Sequence, residues 1–220
     1  MSPARIKVEA VIFDLDGVLV DTEPAHLAVT RALIAPAALR VEEYERFIGR
    51  GGFKEWLEAT YGIARAEIDA RSRDLFNAEL ERNPPTPLPG AVELIEAIAA
   101  RGLGLAVASQ SSREWVEVTL RAAGLSSHFP LVVSAETAGR DKPAPDVYLL
   151  AARLLEVAPR ACIAIEDSVS GIASARAAGM WVVQSRQASF VPPPQPEAHA
   201  VIASLQEFDL AWLDGVPAPG

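Results

Sequence analysis

The sequence has one cysteine, no excess of positive charge and no apolar run of membrane-spanning length, and each absence narrows its possible functions. Cys162 excludes an internal disulfide, and its place in an apolar run predicts a buried small side chain. The formal net charge of -9 argues against general nucleic-acid binding, because phosphate backbones are held by Lys and Arg. The first apolar run is short and interrupted by acids, so we expect no signal peptide, no membrane span and a cytoplasmic protein.

What the sequence does contain is an apolar run, Val8 to Phe13, that ends abruptly in Asp14, Asp16 and Gly17. Short runs rich in β-branched residues predict buried strands, and open parallel sheets bind ligands outside the carboxyl ends of their strands. Strand periodicity places the side chains of Asp14 and Asp16 on the same side. Close carboxylates repel unless a cation or a shared proton relieves them, and hard oxygen ligands favour Mg²⁺. The alternative is that the two acids only form a turn and cap the next helix.

After Glu23 the chain is helical in pattern, with no strand pattern between residues 24 and 82. Further helical segments are predicted at about 40–48, 53–61 and 66–81. The proline-rich segment 83–90 predicts a stiff return to the rest of the chain. We therefore predict that residues 21–85 form an inserted α-helical domain on a core domain of residues 1–20 and 86–220.

The second part of the chain alternates regularly between strands and helices. Strands are predicted at 103–108, 131–133, 162–165, 180–184 and 199–202. Helices are predicted at 91–101, 112–123, 145–156, 169–178 and 204–212. This alternation predicts an α/β fold with a doubly wound, mostly parallel sheet. Residues 192–196 are expected to form a stiff surface loop and residues 216–220 a loose tail.

Two later segments carry groups that bind anions. Ser109 follows a predicted strand, and a hydroxyl beside backbone N–H groups at a helix start forms an anion site. Alternatively, the serines here, Ser111 or Ser112, only cap the next helix. Lys142 lies in the string KPAPD, whose prolines restrict the loop, although a lone lysine is usually a solvated surface charge.

The predicted strand at 162–165 ends in Glu166 and Asp167, so it repeats the acidic ending of the first strand. The two endings are expected to meet at one edge of the sheet. Alternatively, Asp167 or Ser168 only caps the helix that follows.

Together these segments resemble the haloacid dehalogenase superfamily, in the branch that contains β-phosphoglucomutase and small-molecule phosphatases. The strings that carry the resemblance are FDLDGVLVDTE at 13–23, Ser109 with its neighbours, KPAPD at 142–146 and EDSVSGIASARAAGM at 166–180. They have the order and spacing of that family and, with the regions between and after them, cover the chain from Phe13 to about Phe208. The resemblance implies a Rossmann-like core with a helical cap, and a Mg²⁺ cofactor.

The resemblance also implies roles for single residues. Asp14 would be the nucleophile that forms an aspartyl-phosphate, and Asp16 the general acid and base. Ser109, Gln110 and Lys142 would bind the phosphoryl group of the substrate. The implied metal ligands are Asp14, Asp16, Asp167 and Glu166, with Glu166 either a ligand or a residue that orients one.

In the cap, the candidates for substrate contact are His26, Arg50 and Lys54. His26 follows the hinge and either helps to orient Asp16 or has a structural role. Arg50 and Lys54 flank the segment where the family's specificity loop is expected, but as charges on a helical surface they would be unremarkable. The mutase relative has an arginine where this chain has Gly52. A mutase needs a second, cationic site for phosphate, so this difference argues against mutase activity.

We therefore expect a Mg²⁺-dependent phosphatase that acts on a small phosphorylated metabolite of the sugar-phosphate type. The alternatives are a sugar phosphomutase and a non-catalytic scaffold of the same fold. A dehalogenase is disfavoured, because that chemistry has no leaving alkoxide to protonate and so no need for Asp16. We expect neither nucleic acid nor a membrane as partner, and a monomer.

Overall fold

The structure, a computed structural model, describes residues 5–47 and 52–217, and in these ranges the strands form one parallel sheet of six strands and one antiparallel pair. In chain order the strands are β1 (Arg5–Ile6), β2 (Ala10–Phe13), β3 (Gly104–Ser109), β4 (Val132–Ser134), β5 (Cys162–Glu166), β6 (Trp181–Ser185), β7 (Ala200–Ile202) and β8 (Val216–Pro217). The sheet has the order β4-β3-β2-β5-β6-β7. Strands β1 and β8 pair with each other. The predicted α/β class with a mostly parallel sheet is confirmed.

Helices cover both faces of this sheet. The helices in chain order are α1 (Glu23–Ile34), α2 (Val41–Tyr44), α3 (Phe53–Tyr61), α4 (Arg65–Arg82), α5 (Ala91–Ala99), α6 (Arg113–Ala122), α7 (Ala135–Ala138), α8 (Asp146–Leu154) and α9 (Val169–Ala177). Alternate residues of β2 belong to two different cores, because side chains of a strand point to opposite faces. Val11 and Phe13 pack in the cluster that includes α5 and α6, and Ala10 and Ile12 in the cluster that includes α8 and α9. The sheet is therefore doubly wound.

Helices α1 to α4 have a hydrophobic cluster of their own, with Val29, Leu33, Leu57 and Ile68 buried at its centre. The chain enters and leaves this helical stretch at one place. Val20 and Pro87 pair in an antiparallel bridge, and the N–H of Leu88 donates to the carbonyl oxygen of Leu19 over 2.8 Å. An insertion whose two ends meet fits the predicted cap, and its exact boundaries stay a prediction.

The structure corrects three details of the predicted chain. Residues 204–212 do not form a helix but two 3₁₀ turns, Leu205–Glu207 and Leu210–Asp214. The side chains of Ser204 and Asp209 accept hydrogen bonds from N–H groups two residues ahead, and such local bonds compete with a helix. In the predicted loose tail, Val216–Pro217 pairs with β1. The short helix α7 was not predicted.

One smaller prediction is confirmed. The side chain of Cys162 is fully buried, as predicted. Within residues 5–47 and 52–217, no helix combines the length and the apolar character that a membrane crossing requires.

Candidate active site

The candidate site lies at the carboxyl ends of three neighbouring strands, β3, β2 and β5. Strand β2 pairs with β3 on one side and with β5 on the other, so the strand order reverses there and leaves a crevice. Phe13 lies level with Val107 and Ile165 in these pairings. The next residue of β2, Asp14, is therefore level with the end of both neighbours and close to Glu166.

Lys142 is buried at the centre of the site. Its ammonium donates hydrogen bonds to Asp14 Oδ1 (2.7 Å), Glu166 Oε1 (2.5 Å) and the carbonyl oxygen of Ala108 (3.0 Å). Burial alone would lower the pKa of Lys142, but the two carboxylates outweigh it and raise that pKa. Lys142 is therefore a charged group that holds the two strand endings together, not a solvated surface charge.

Both oxygens of Glu166 are occupied by protein donors. Oε1 accepts hydrogen bonds from Lys142 and from the buried hydroxyl of Tyr148 (2.8 Å). Oε2 accepts from the N–H groups of Asp167 (3.1 Å) and Ser168 (3.2 Å) and from the Ser168 hydroxyl (3.1 Å). Gly171 leaves the space for this carboxylate, since a Cβ there would lie 1.9 Å from Oε1. This bonding favours the second predicted role of Glu166, as a residue that orients its neighbours.

Three carboxylates of the site could bind a cation together. Asp14, Glu166 and Asp167 each offer an oxygen, and these oxygens lie within 4.8 Å of one another. Burial, reinforced by the charges of Glu166 and Asp16 against that of Lys142, raises the pKa of Asp14 to about 8. Burial and the neighbouring acids also raise the pKa of Asp167. An excess of buried negative charge on hard oxygen atoms is the donor set that suits a divalent cation.

Gly17 lets the turn after β2 approach Asp167. Its φ of +83° belongs to the left-handed region, and a Cβ at Gly17 would lie 2.2 Å from Asp167 Oδ2. The same turn ends the strand periodicity on which the predicted common orientation of Asp14 and Asp16 rested.

Asp16 has a different set of partners from Asp14. Its Oδ1 accepts hydrogen bonds from the Thr22 hydroxyl (2.7 Å) and from Trp115 Nε1 (3.2 Å). Its Oδ2 accepts from the hydroxyls of Ser111 (2.9 Å) and Ser109 (3.5 Å). Among the described residues, the cluster of three carboxylates does not include Asp16, so this geometry gives no support to its side chain as a metal ligand.

The serines at the end of β3 and just after it have different roles. Ser109 is buried, and its Oγ accepts a hydrogen bond from the N–H of Ser111 (3.0 Å) beside Asp16. Ser112 caps α6 by accepting from the N–H of Trp115, and Ser168 caps α9 in the same way from Gly171. Capping thus accounts for Ser112 and Ser168 but not for Ser109.

A cavity of about 540 Å³ opens onto these groups. Core residues that line it are Asp14, Asp16, Ser109, Gln110, Lys142 and Asp167. Glu23 and His26 line it from α1. The ring of His26 packs against Phe76 and Trp115, with ring centroids 4.5 and 5.2 Å away.

Residues 189–193 also line the cavity, and of these only residues 192 and 193 belong to the surface loop predicted at 192–196. The N–H of Ser189 donates to Asp21 Oδ2 over 3.0 Å, and the Gln187 side chain donates to the carbonyl oxygen of Val18. These bonds tie the loop to the segment that leads into the helical insert. Its proline content indicated stiffness, but no feature of the sequence indicated that it faces the site.

One of the predicted cap residues, Lys54, does not line this cavity. Lys54 pairs with Asp69 and lines an adjoining cavity of about 650 Å³, which His26, Gln110 and Ser111 also border. Arg50 lies outside the described residues. The aromatic rings of Phe53 and Trp56 pack against the core of the helical insert.

Three residues around the site were not predicted, namely Thr22, Trp115 and Tyr148, and Ser111 was considered only as a helix cap. Thr22 lies inside one of the strings that carry the family resemblance, and Tyr148 lies two residues after another, so their positions were a usable indication. Trp115 is 99 residues from Asp16 in the chain, and no local pattern encodes their contact.

Comparison with known proteins identifies the family of the chain. A family model described as haloacid dehalogenase-like hydrolase matches residues 8–179. The chain belongs to this family. It is 34% identical to Protein CbbY of Rhodobacter capsulatus over 81% of this chain and 85% of that protein. It is 32% identical to Hexitol phosphatase A of Escherichia coli (strain K12) over 92% and 94%.

A solved relative of this family has a closely similar fold. It is a mutant CbbY from Rhodobacter sphaeroides in complex with xylulose-(1,5)bisphosphate, with a TM-score of 0.83 and 28% identity. The similarity covers 94% of this chain and 99% of that one. The expected family and its Rossmann-like core are thereby confirmed.

Proposed function

We propose that this member of the haloacid dehalogenase-like family is a Mg²⁺-dependent phosphatase that hydrolyses a small sugar phosphate through an aspartyl-phosphate. The observation that carries the proposal is the buried ammonium of Lys142, which lies between Asp14 and Glu166 at the floor of a cavity. The named phosphatase among the relatives supports the reaction class. The sugar bisphosphate bound to a structural relative supports the substrate class.

In the first step, a carboxylate oxygen of Asp14 attacks the phosphorus atom, and the bond from phosphorus to the sugar oxygen breaks. The ammonium of Lys142 is fixed 2.7 Å from Asp14 Oδ1, so its charge acts on the transferring phosphoryl group without further reorganisation. Ser109 is buried beside Asp16 and provides a hydroxyl at the same strand ends.

Asp16 supplies the proton that the sugar oxygen needs as it leaves. It then takes a proton from the water that attacks the phosphorus atom of the aspartyl-phosphate, and inorganic phosphate and free Asp14 are regenerated. Donors from Thr22, Ser111 and Trp115 hold this carboxylate in place on the side of the helical insert.

The residues that would hold the metal ion are Asp14 and Asp167, with Glu166 as the residue that orients the Asp167 backbone and Lys142. When bound, Mg²⁺ supplies positive charge that offsets the charge of the phosphoryl group and of the carboxylates around it. These acids have raised pKa values without it, so they offer a site in which a cation is electrostatically favoured.

The rest of the cavity suits a leaving group of mixed character. Its lining includes polar side chains such as Gln110 and His26 and the apolar side chains of Phe190, Val191 and the exposed Val169. A sugar has hydroxyl groups for the polar part of this lining and C–H faces for the apolar part. The helical insert is expected to exclude water from this space.

The experiment is a screen for released inorganic phosphate over hexose, hexitol and pentulose phosphates, with Mg²⁺ or with a chelator. We expect release only with Mg²⁺ and only from the wild type, and not from Asp14→Asn, which has the same shape without the nucleophile. Acid-quenched mass spectrometry should find an added phosphoryl group on the peptide that contains Asp14.

The same screen separates the alternatives. Movement of phosphate between hydroxyls with a bisphosphate primer, without release, would identify a phosphomutase. No Mg²⁺-dependent reaction with any phosphomonoester would leave the scaffold hypothesis.

A further inference from the structure

Trp115 joins α6 to the carboxylate of Asp16. Its backbone N–H donates to the Ser112 cap, which fixes the start of the helix, and its indole Nε1–H donates to Asp16 Oδ1 over 3.2 Å. Thr22 donates to the same oxygen over 2.7 Å. Two donors from different segments therefore converge on one oxygen of the carboxylate.

The ring of Trp115 also packs against the helical insert. Its centroid lies 4.5 Å from that of Phe76 on α4 and 5.2 Å from that of His26 on α1. Beside it, Arg73 on α4 pairs with Glu114 on α6 at 3.3 Å. The position of the indole N–H thus depends on the insert as well as on α6.

The two oxygens of Asp16 differ in the kind of donor they face. An indole N–H can only donate, so Oδ1 remains an acceptor as long as Trp115 is in place. Oδ2 faces the hydroxyls of Ser111 and Ser109, and a hydroxyl can turn to accept a hydrogen bond instead. When Asp16 is protonated, the proton is therefore directed to Oδ2, next to the serine that ends β3.

We propose that Trp115 is a positioning residue that places the acidic proton of Asp16 on Oδ2, the oxygen beside Ser109. The proposal rests on the proposed function. In the first step the Oδ2 proton passes to the sugar oxygen as its bond to phosphorus breaks and the bond from Asp14 to phosphorus forms. In the second step Oδ2 takes a proton from the attacking water, the bond from Asp14 to phosphorus breaks, and phosphate leaves.

The test uses the dependence of the rate on the leaving group. Phenyl phosphate and p-nitrophenyl phosphate have the same shape around the phosphorus atom, but p-nitrophenoxide leaves without help from an acid. The ratio kcat/KM includes steps only up to formation of the aspartyl-phosphate, so it reports the acid role of Asp16. The variant is Trp115→Phe, which keeps a ring against Phe76 and removes the N–H.

For Trp115→Phe we expect kcat/KM to fall about tenfold for phenyl phosphate, a part of the usual effect of a general acid. For p-nitrophenyl phosphate it should stay within about twofold of the wild type, because that reaction needs no acid. The matched control is Trp56→Phe, the same change inside the aromatic cluster of the helical insert. Trp56→Phe should leave kcat/KM unchanged for both substrates.

An equal fall for both substrates would mean that the ring only supports the structure, and no fall for either would mean that the N–H does not position Asp16. Either result overturns the proposal. If Trp115→Phe unfolds below the assay temperature, Phe76→Leu replaces it, because it removes the neighbouring ring and leaves the indole. It should give the same selective loss, and an equal loss on both substrates overturns the proposal.

The proposed function is tested separately by the wild type and Asp14→Asn on the same substrates. Hydrolysis by the wild type alone supports that function, whatever Trp115→Phe does. No hydrolysis by the wild type of these substrates or of any sugar phosphate in the screen would overturn both proposals.

Discussion

Strands β2 and β5 lie side by side and each ends in two acids, yet the two pairs are held in different ways. Both oxygens of Glu166 accept hydrogen bonds from protein donors, and the next residue, Asp167, lines the cavity. In the other pair, Asp14 is bound by Lys142 and Asp16 is bound by residues beside the helical insert. The comparison shows that the donors around a carboxylate, more than its place after a strand, determine what it can do.

Lys142 is the link between the pairs, and its removal should have the largest effect. Lys142→Met keeps the length of the side chain but leaves Asp14 and Glu166 buried without their shared cation. We expect kcat to fall by about 10²-fold or more, since a preorganised charge is lost from the site. The loss of unfolding free energy should be about 3–5 kcal/mol, because a buried charge pair is broken. Phosphate release and urea unfolding measure the two effects.

The exposed pair of Lys54 and Asp69 provides the control for that prediction. Lys54→Met should change the unfolding free energy by less than about 1 kcal/mol, because exposed ion pairs contribute little. Similar stability losses in the two variants would contradict the importance of burial at Lys142.

Much of the β5 and β2 arrangement could be predicted from sequence. Asp14 and Glu166 follow short apolar runs, and parallel strands bring such endings to one edge of a sheet. Lys142 lies in a string with two prolines, and the resemblance of that string to a family motif indicated its role.

The partners of Asp16 could not be predicted in this way. Gly17 ends the strand geometry, so a two-residue spacing no longer indicates direction. The contact with Trp115 depends on how the helical insert packs on α6, and the loop wall near Phe190 depends on a bond between Ser189 and Asp21. Each of these contacts joins residues far apart in the chain, which local patterns do not encode.

Gly17 makes room for Asp167 of the β5 pair, and its replacement tests the position of that carboxylate against backbone strain. Gly17→Ala would bring a Cβ 2.2 Å from Asp167 Oδ2 and should displace that carboxylate. We expect activity to fall by about tenfold or more, as for loss of a metal-site contact. The left-handed backbone should cost about 1–2 kcal/mol of stability in addition.

The matched control for this prediction is Gly179→Ala. Gly179 has a φ of +81°, close to the +83° of Gly17, but no heavy atom lies within 4 Å of its added Cβ. In thermal unfolding, Gly179→Ala should lose as much stability as the left-handed backbone costs at Gly17. Its phosphate release should be normal. If Gly179→Ala lost as much activity as Gly17→Ala, strain and not Asp167 would be the cause.

The raised pKa values predict how pH and metal affect stability. The pKa of Asp14 is about 8 in the folded chain against an ordinary 3.8, so between these values the folded state binds more protons than the unfolded state. Stability of the metal-free chain should therefore fall as pH rises through that window, and Asp167 acts in the same direction.

A bound cation favours the charged carboxylates, so Mg²⁺ should raise Tm more at pH 8 than at pH 5. Differential scanning fluorimetry with Mg²⁺ or with a chelator measures this difference. Asp167→Asn, which removes one of the charges, should reduce both the pH dependence and the Mg²⁺ effect. A Tm rise with Mg²⁺ that is the same at both pH values would contradict the role of these acids.

The smallest effect is expected at Tyr148, which donates to the oxygen of Glu166 that also accepts from Lys142. Tyr148→Phe leaves that oxygen its stronger, charged donor and keeps the ring that lies 5.1 Å from the ammonium. We expect the unfolding free energy measured with urea to fall by about 1–2 kcal/mol. The kcat for phosphate release should fall only a few-fold. The control is Tyr44→Phe, because Tyr44 donates in the same way to Glu23 in the helical insert, over 2.5 Å. If Tyr148→Phe lowered kcat as far as Lys142→Met, the hydroxyl and not the ammonium would be the group that holds Glu166 in place.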